Sequence, residues 1–77
     1  SLVNEHRTMV FYESPHRLLK TLTEFIQYFG AERQASVSRE LTKLFEETVR
    51  GTLTDIKLHF ENNTLKGEFV MCVAGKE

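Results

Sequence analysis

Thr8-Met9-Val10-Phe11-Tyr12 runs without a break into Glu13-Ser14-Pro15-His16-Arg17, and no other stretch limits the fold so strongly. The first five residues are apolar or β-branched, as a buried strand requires. Ser14 then offers an N-cap and Pro15 a first helical residue, because proline lacks the N–H that a helix start leaves unpaired. A strand passing straight into a helix sets Glu13, Ser14, His16 and Arg17 at the strand's carboxyl end, where open α/β sheets hold ligands. The unpaired N–H groups of a helix start suit an anion or a polar ligand there.

Leu18, Leu22, Phe25 and Phe29, with Leu19 and Ile26 beside them, form one apolar stripe at helical spacing, which predicts a helix from Pro15 to Phe29. Gly30, free to take positive φ, ends it. Gln34-Ala35-Ser36-Val37-Ser38 alternates as a strand does, so strand, helix and strand predict a βαβ unit with parallel strands. Arg39 to Glu47 is dense in charge and reads as a structured loop with room for one helical turn; Thr48-Val49-Arg50 reads as a short strand. Thr52-Leu53-Thr54-Asp55 resembles a capping box, with Asp in place of the usual Glu or Gln, and opens a helix that Asn62-Asn63 ends. Leu53, Ile56 and Phe60 give that helix its buried face. Phe69 to Val73 is apolar on both faces, the mark of a central strand with helices above and below. The expected architecture is α/β: a mixed sheet in the order β-α-β-β-α-β with helices packed on it. The ferredoxin-like split βαβ fold shares that order.

Seventy-seven residues suffice for one small domain or a piece of a larger one. The start, Ser1-Leu2-Val3-Asn4-Glu5-His6-Arg7, is polar and lacks Met, so the chain looks excised from something longer. A net charge of −1 gives no global basic field, and any RNA contact must come from a local patch. Cys72 alone cannot form an internal disulfide, which favours a reducing cytoplasm. No apolar run reaches the ~18–20 residues of a membrane span. No metal site is expected: His6, His16, His59 and Cys72 lack the close pairing of zinc ligands, and His59 falls on the solvent side of its helix. Gly30, Gly51, Gly67 and Gly75 sit one per boundary and make no phosphate loop.

If the first two strands are parallel, Glu13, His16, Arg17, Arg39, Glu40 and Lys43 converge on one rim. Two readings stay open there. The charges are an ion-pair network that fixes two loops, with Lys43 and Glu47 as a solvated pair, or they are a site.

Four motifs occur in register: Phe11-Tyr12-Glu13-Ser14-Pro15-His16-Arg17; Arg39-Glu40-Leu41-Thr42-Lys43 with Glu46; Arg50-Gly51-Thr52-Leu53; and Lys66-Gly67-Glu68-Phe69-Val70. Together they resemble the carboxyl-terminal domain of RNA-methylating members of the tetrapyrrole (corrin/porphyrin) methylase superfamily, over nearly the whole chain. The resemblance implies an S-adenosylmethionine-dependent enzyme that methylates a cytidine ribose 2′-hydroxyl in small-subunit ribosomal RNA. It implies a donor held between two α/β domains, and homodimers of the full-length protein. Residues 1–7 are then a linker from a missing N-terminal domain, and 8–77 the C-terminal domain, inactive alone.

Carried over by position, Tyr12, Glu13, Ser14, Lys66, Gly67 and Glu68 are the donor-binding candidates. Arg17, Arg39 and Lys43 are candidates for RNA phosphates. Removal of the hydroxyl proton falls to Glu40 or Lys43, the lysine only if desolvated. Two other readings remain: a corrin or porphyrin C-methyltransferase domain, and a stand-alone ferredoxin-like binding module. RNA-binding modules of that kind stack bases on exposed sheet aromatics, whereas Phe11 and Phe69 read as buried.

Overall fold

The computed structural model describes residues 2–41, 44–63 and 65–76, without the side chains of 41 and 44–46. A 3₁₀ turn (Leu2–Asn4) precedes β1 (Met9–Glu13), α1 (Leu18–Phe29), β2 (Gln34–Leu41), β3 (Leu44–Thr52), α2 (Leu53–Glu61) and β4 (Glu68–Val73). The α/β class and the β-α-β-β-α-β order are as expected. The four strands form one sheet in the order β1-β4-β2-β3, each neighbouring pair antiparallel. β1 and β2 do run the same way, as a βαβ unit requires, but β4 lies between them.

Each helix forms where its apolar stripe meets the sheet. Leu18, Leu22 and Phe29 of α1 and Leu53, Ile56 and Phe60 of α2 join Met9, Val37, Phe69, Met71 and Val73 in one core. Two ring contacts bridge the layers, Phe11 with Phe25 at 4.8 Å and Phe60 with Phe69 at 5.4 Å between centroids. Both helices therefore cover the same face. The expectation of helices above and below the last strand fails. Val10 and Tyr12 are exposed on the opposite face, beside half-buried Val70 and Cys72, and no helix covers it among the described residues.

The helix starts differ in an instructive way. Thr52 and Asp55 form the expected reciprocal capping box, at 3.1 and 3.4 Å. Ser14 does not cap α1: the N–H groups of Arg17 and Leu18 both donate to its carbonyl at 3.1 Å, a turn that delays the helix to Leu18. Gly30, at φ +99°, ends α1 by donating its N–H to the Ile26 carbonyl.

The segment read as a charged loop is a β-hairpin. β2 and β3 pair from Gln34↔Thr52 to Leu41↔Leu44, with a register shift between Arg39 and Glu40. Arg39 and Glu47 take inward positions that a plain strand fills with apolar residues, and this hides the period of two.

The residues before β1 fold back on the chain's other end. The Glu5 carbonyl accepts the Lys76 N–H at 2.6 Å, and the Arg33 guanidinium donates to the Val3 and Ala74 carbonyls at 3.1 Å. Gly75 is needed there, since a Cβ would overlap the His6 carbonyl.

Candidate functional site: a charged rim at one end of the sheet

The pairing register brings three separated segments to one edge. Glu13 lies opposite Phe69, Phe69 opposite Arg39, and Arg39 opposite Glu47, a row crossing all four strands on the helix-covered face. One residue back, Tyr12, Val70, Ser38 and Thr48 make the matching row on the open face. Glu40 and Glu68 stand directly opposite each other at the edge itself. The turn after Tyr12, the end of β2 and the start of β4 thus share one rim. Lys43 lies outside the described residues.

Glu13 is committed to the fold. Its Oε2 accepts the Thr21 hydroxyl at 2.7 Å, its Oε1 accepts the Ser14 N–H at 3.0 Å, and the Arg17 Nε stands 3.7 Å away. The Thr21 hydrogen bond, aided by the Ser14 N–H and the Arg17 charge, outweighs burial and holds this carboxyl below its ordinary range. The carboxylate thereby ties the end of β1 to the Ser14 turn and to the Thr21 side chain of α1. Arg17 and His16 remain exposed beside it.

At the other end of the row, Glu47 is shared between a residue of α2 and one of β2. Its Oε2 accepts the His59 Nε2–H at 2.8 Å, and its Oε1 lies 3.7 Å from the Arg39 Nε. His59 therefore turns toward the sheet from α2, correcting its solvent-side assignment. The Arg39 side chain is 23% exposed, yet its Nε is inaccessible and has no hydrogen-bond partner. Sequence reading set Glu47 beside Lys43 and His59 toward solvent, and missed the contact between these two residues, which lie 12 positions apart on different elements.

On the open face Tyr12 is 78% exposed next to Val70, and the Ser38 and Thr48 hydroxyls pair at 2.9 Å. Lys66 and Glu68 are exposed at the start of β4, and Gly67 at φ +83° makes the turn that L side chains resist. Two open hollows lie elsewhere, one lined by Leu2, Phe11, Phe25 and Phe29 and another by Gly30, Arg33, Ala74 and Gly75. Among the described residues, no helix is long and apolar enough to cross a membrane.

Fold and rim together define a two-layer α/β unit with one sheet face that no helix covers among the described residues and its charged strand ends gathered on a single edge. No family model matches the chain. Its kinship is specific nonetheless: the chain is homologous, along nearly its whole length, to a segment of proteins named ribosomal RNA small subunit methyltransferase I. The one from Synechocystis is 51% identical over 97% of this chain, that from Xylella fastidiosa strain 9a5c 46% over 96%, and that from Thermotoga maritima 42% over 100%. The chain spans 27%, 28% and 34% of those proteins.

Proposed function

We propose that this chain forms one wall of the cleft of an S-adenosylmethionine-dependent methyltransferase acting on a cytidine ribose 2′-hydroxyl of small-subunit ribosomal RNA. One observation carries the reading: Tyr12 to Ser14, Arg39 and Glu40, and Glu68 meet on one edge although up to 56 positions separate them in sequence. The names of the homologues supply the reaction class and the RNA. The missing N-terminal domain supplies the opposite wall, residues 1–7 lead from it, and the full-length protein is a homodimer in the cytoplasm.

The rim suits the donor. Tyr12 offers a bare aromatic face beside Val70, and Gly67 permits close approach of backbone. Tyr12, Ser14, Lys66, Gly67 and Glu68 would hold it, while Glu13, its oxygens already engaged, keeps the Ser14 turn in place. When bound, the donor supplies a methyl group on a sulfonium. This chain's own task is to orient the ribose and take its proton. Glu40, opposite Glu68, is the base on the described surface, and Lys43 is the other candidate. Arg17 and Arg39, with Lys43, meet phosphates. Alignment of the reacting groups contributes alongside proton removal.

The test is methyl transfer from radiolabelled donor to small-subunit ribosomal RNA, with the intact protein and residues 1–77 compared. The intact protein should modify a cytidine 2′-oxygen, and residues 1–77 alone should not. Equal activity of the two, or methylation of a tetrapyrrole instead, would overturn the reading.

A further inference from the structure

The fold explains three members of the motif Arg50-Gly51-Thr52-Leu53 and leaves one over. Gly51 takes φ +152° where β3 gives way to α2, Thr52 caps that helix, and Leu53 is fully buried. Arg50 has no such task. Of the chain's five arginines, Arg7, Arg17 and Arg39 each face a glutamate, and Arg33 donates to two carbonyls. Arg50 is exposed, and among the described residues its side chain has neither an ion-pair nor a hydrogen-bond partner.

Strand pairing sets its place. Val10, Cys72, Ser36 and Arg50 stand opposite one another in a row across the open sheet face. An open hollow there is lined by Thr8, Ser36, Arg50 and Cys72 with their neighbours. On β2 this row lies two residues from Ser38 and four from Glu40, the latter a span of ~13 Å at ~3.3 Å per residue. The Arg50 row and the Thr48 row beside it bring the hydroxyls of Ser36, Ser38 and Thr48, one guanidinium and no carboxylate from β2 and β3. Asp55, at the start of α2, is engaged by the Thr52 N–H at 3.4 Å. A planar guanidinium among hydroxyls matches the phosphates and sugars of a nucleic-acid backbone. We propose that Arg50, with the Ser36 hydroxyl opposite it, binds a phosphodiester of the substrate RNA belonging to a neighbour of the reacting nucleotide, so that the strand crosses the open face over β2 and β3. This rests on the RNA reading above and adds to it the path of the strand away from Glu40.

The experiment measures binding of the intact protein to a short single-stranded RNA of small-subunit sequence over a series of salt concentrations. Arg50→Ala should weaken binding roughly threefold to tenfold near ~0.1 M salt. It should also flatten the slope of log affinity against log salt by about 0.7, the loss of one phosphate contact on a single strand. Arg50→Lys, which keeps the charge, should keep the wild-type slope. Loss of folded protein would lower the bound fraction at saturation and leave the slope alone, so it imitates neither result. Light scattering should give wild type and Arg50→Ala the same mass. If wild-type binding does not weaken with salt, the RNA reading itself fails. If wild type shows that dependence and Arg50→Ala reproduces its affinity and slope, the RNA reading stands and this proposal is wrong. A smaller mass for Arg50→Ala would overturn it too, by giving this face to a second copy of the protein.

Discussion

The Thr21 hydroxyl donates to Glu13 Oε2 at 2.7 Å and so ties the end of β1 to the first turn of α1. Glu13 is held below its ordinary range first by that bond, so its contribution to stability is present above the unfolded-state value near pH 4.5. It is lost as the pH falls through the lower folded value. Thr21→Val should destabilise by about 1.5–3 kcal/mol at pH 7, the usual range for a hydrogen bond to a charged group. Denaturant titrations should show the gap closing below pH 4.5. A gap that persists or widens in acid would assign the effect to packing.

The reciprocal bonds between Thr52 and Asp55 set where α2 begins. Thr52→Ala should cost about 1 kcal/mol by thermal or chemical unfolding, because one helix-start N–H loses its acceptor. Thr52→Ser, which keeps the oxygen, should cost much less.

Gly75 sits where the chain's two ends touch. Gly75→Ala drives a methyl into the His6 carbonyl, so the Lys76 N–H should lose its bond to Glu5. Amide exchange should quicken at Lys76 while Met71 and Val73, deep in the sheet, keep their protection.

Glu40 and Glu68 face each other across β2 and β4, yet the proposal gives them different work. Glu40→Gln should lower kcat of the intact enzyme by about 10²–10⁴, the range for loss of a general base, with little change in KM for RNA. Glu68→Gln should act mainly on the KM for the donor. The reverse pattern would exchange the two roles.

The helices were legible from the chain because their signals are local. The Leu18, Leu22, Phe25 and Phe29 stripe and the Thr52 to Asp55 box each lie within a few turns. Phe69 to Val73 likewise announced a central strand. What escaped depends on partners distant in sequence. Nothing in β1, α1 and β2 tells that β4 will be inserted between the two strands, since that register is settled by Phe11 meeting Met71 and Met71 meeting Val37. The hairpin was hidden by Arg39 and Glu47, whose charges occupy inward positions because each offsets the other. Of the candidate site, strand pairing gathers Tyr12, Glu13, Arg39, Glu40 and Glu68 at one end of the sheet, residues that the motifs had named. Glu47 and His59 carried no motif and became visible only through their contact.

Amide exchange on the intact protein, with and without bound RNA and the demethylated donor, tests most directly whether this rim is the wall of the cleft. Protection should concentrate at 12–14, 38–40 and 66–68. Protection confined to the opposite end, around Arg33, Gln34 and Ala74, with the rim unchanged, would contradict the account.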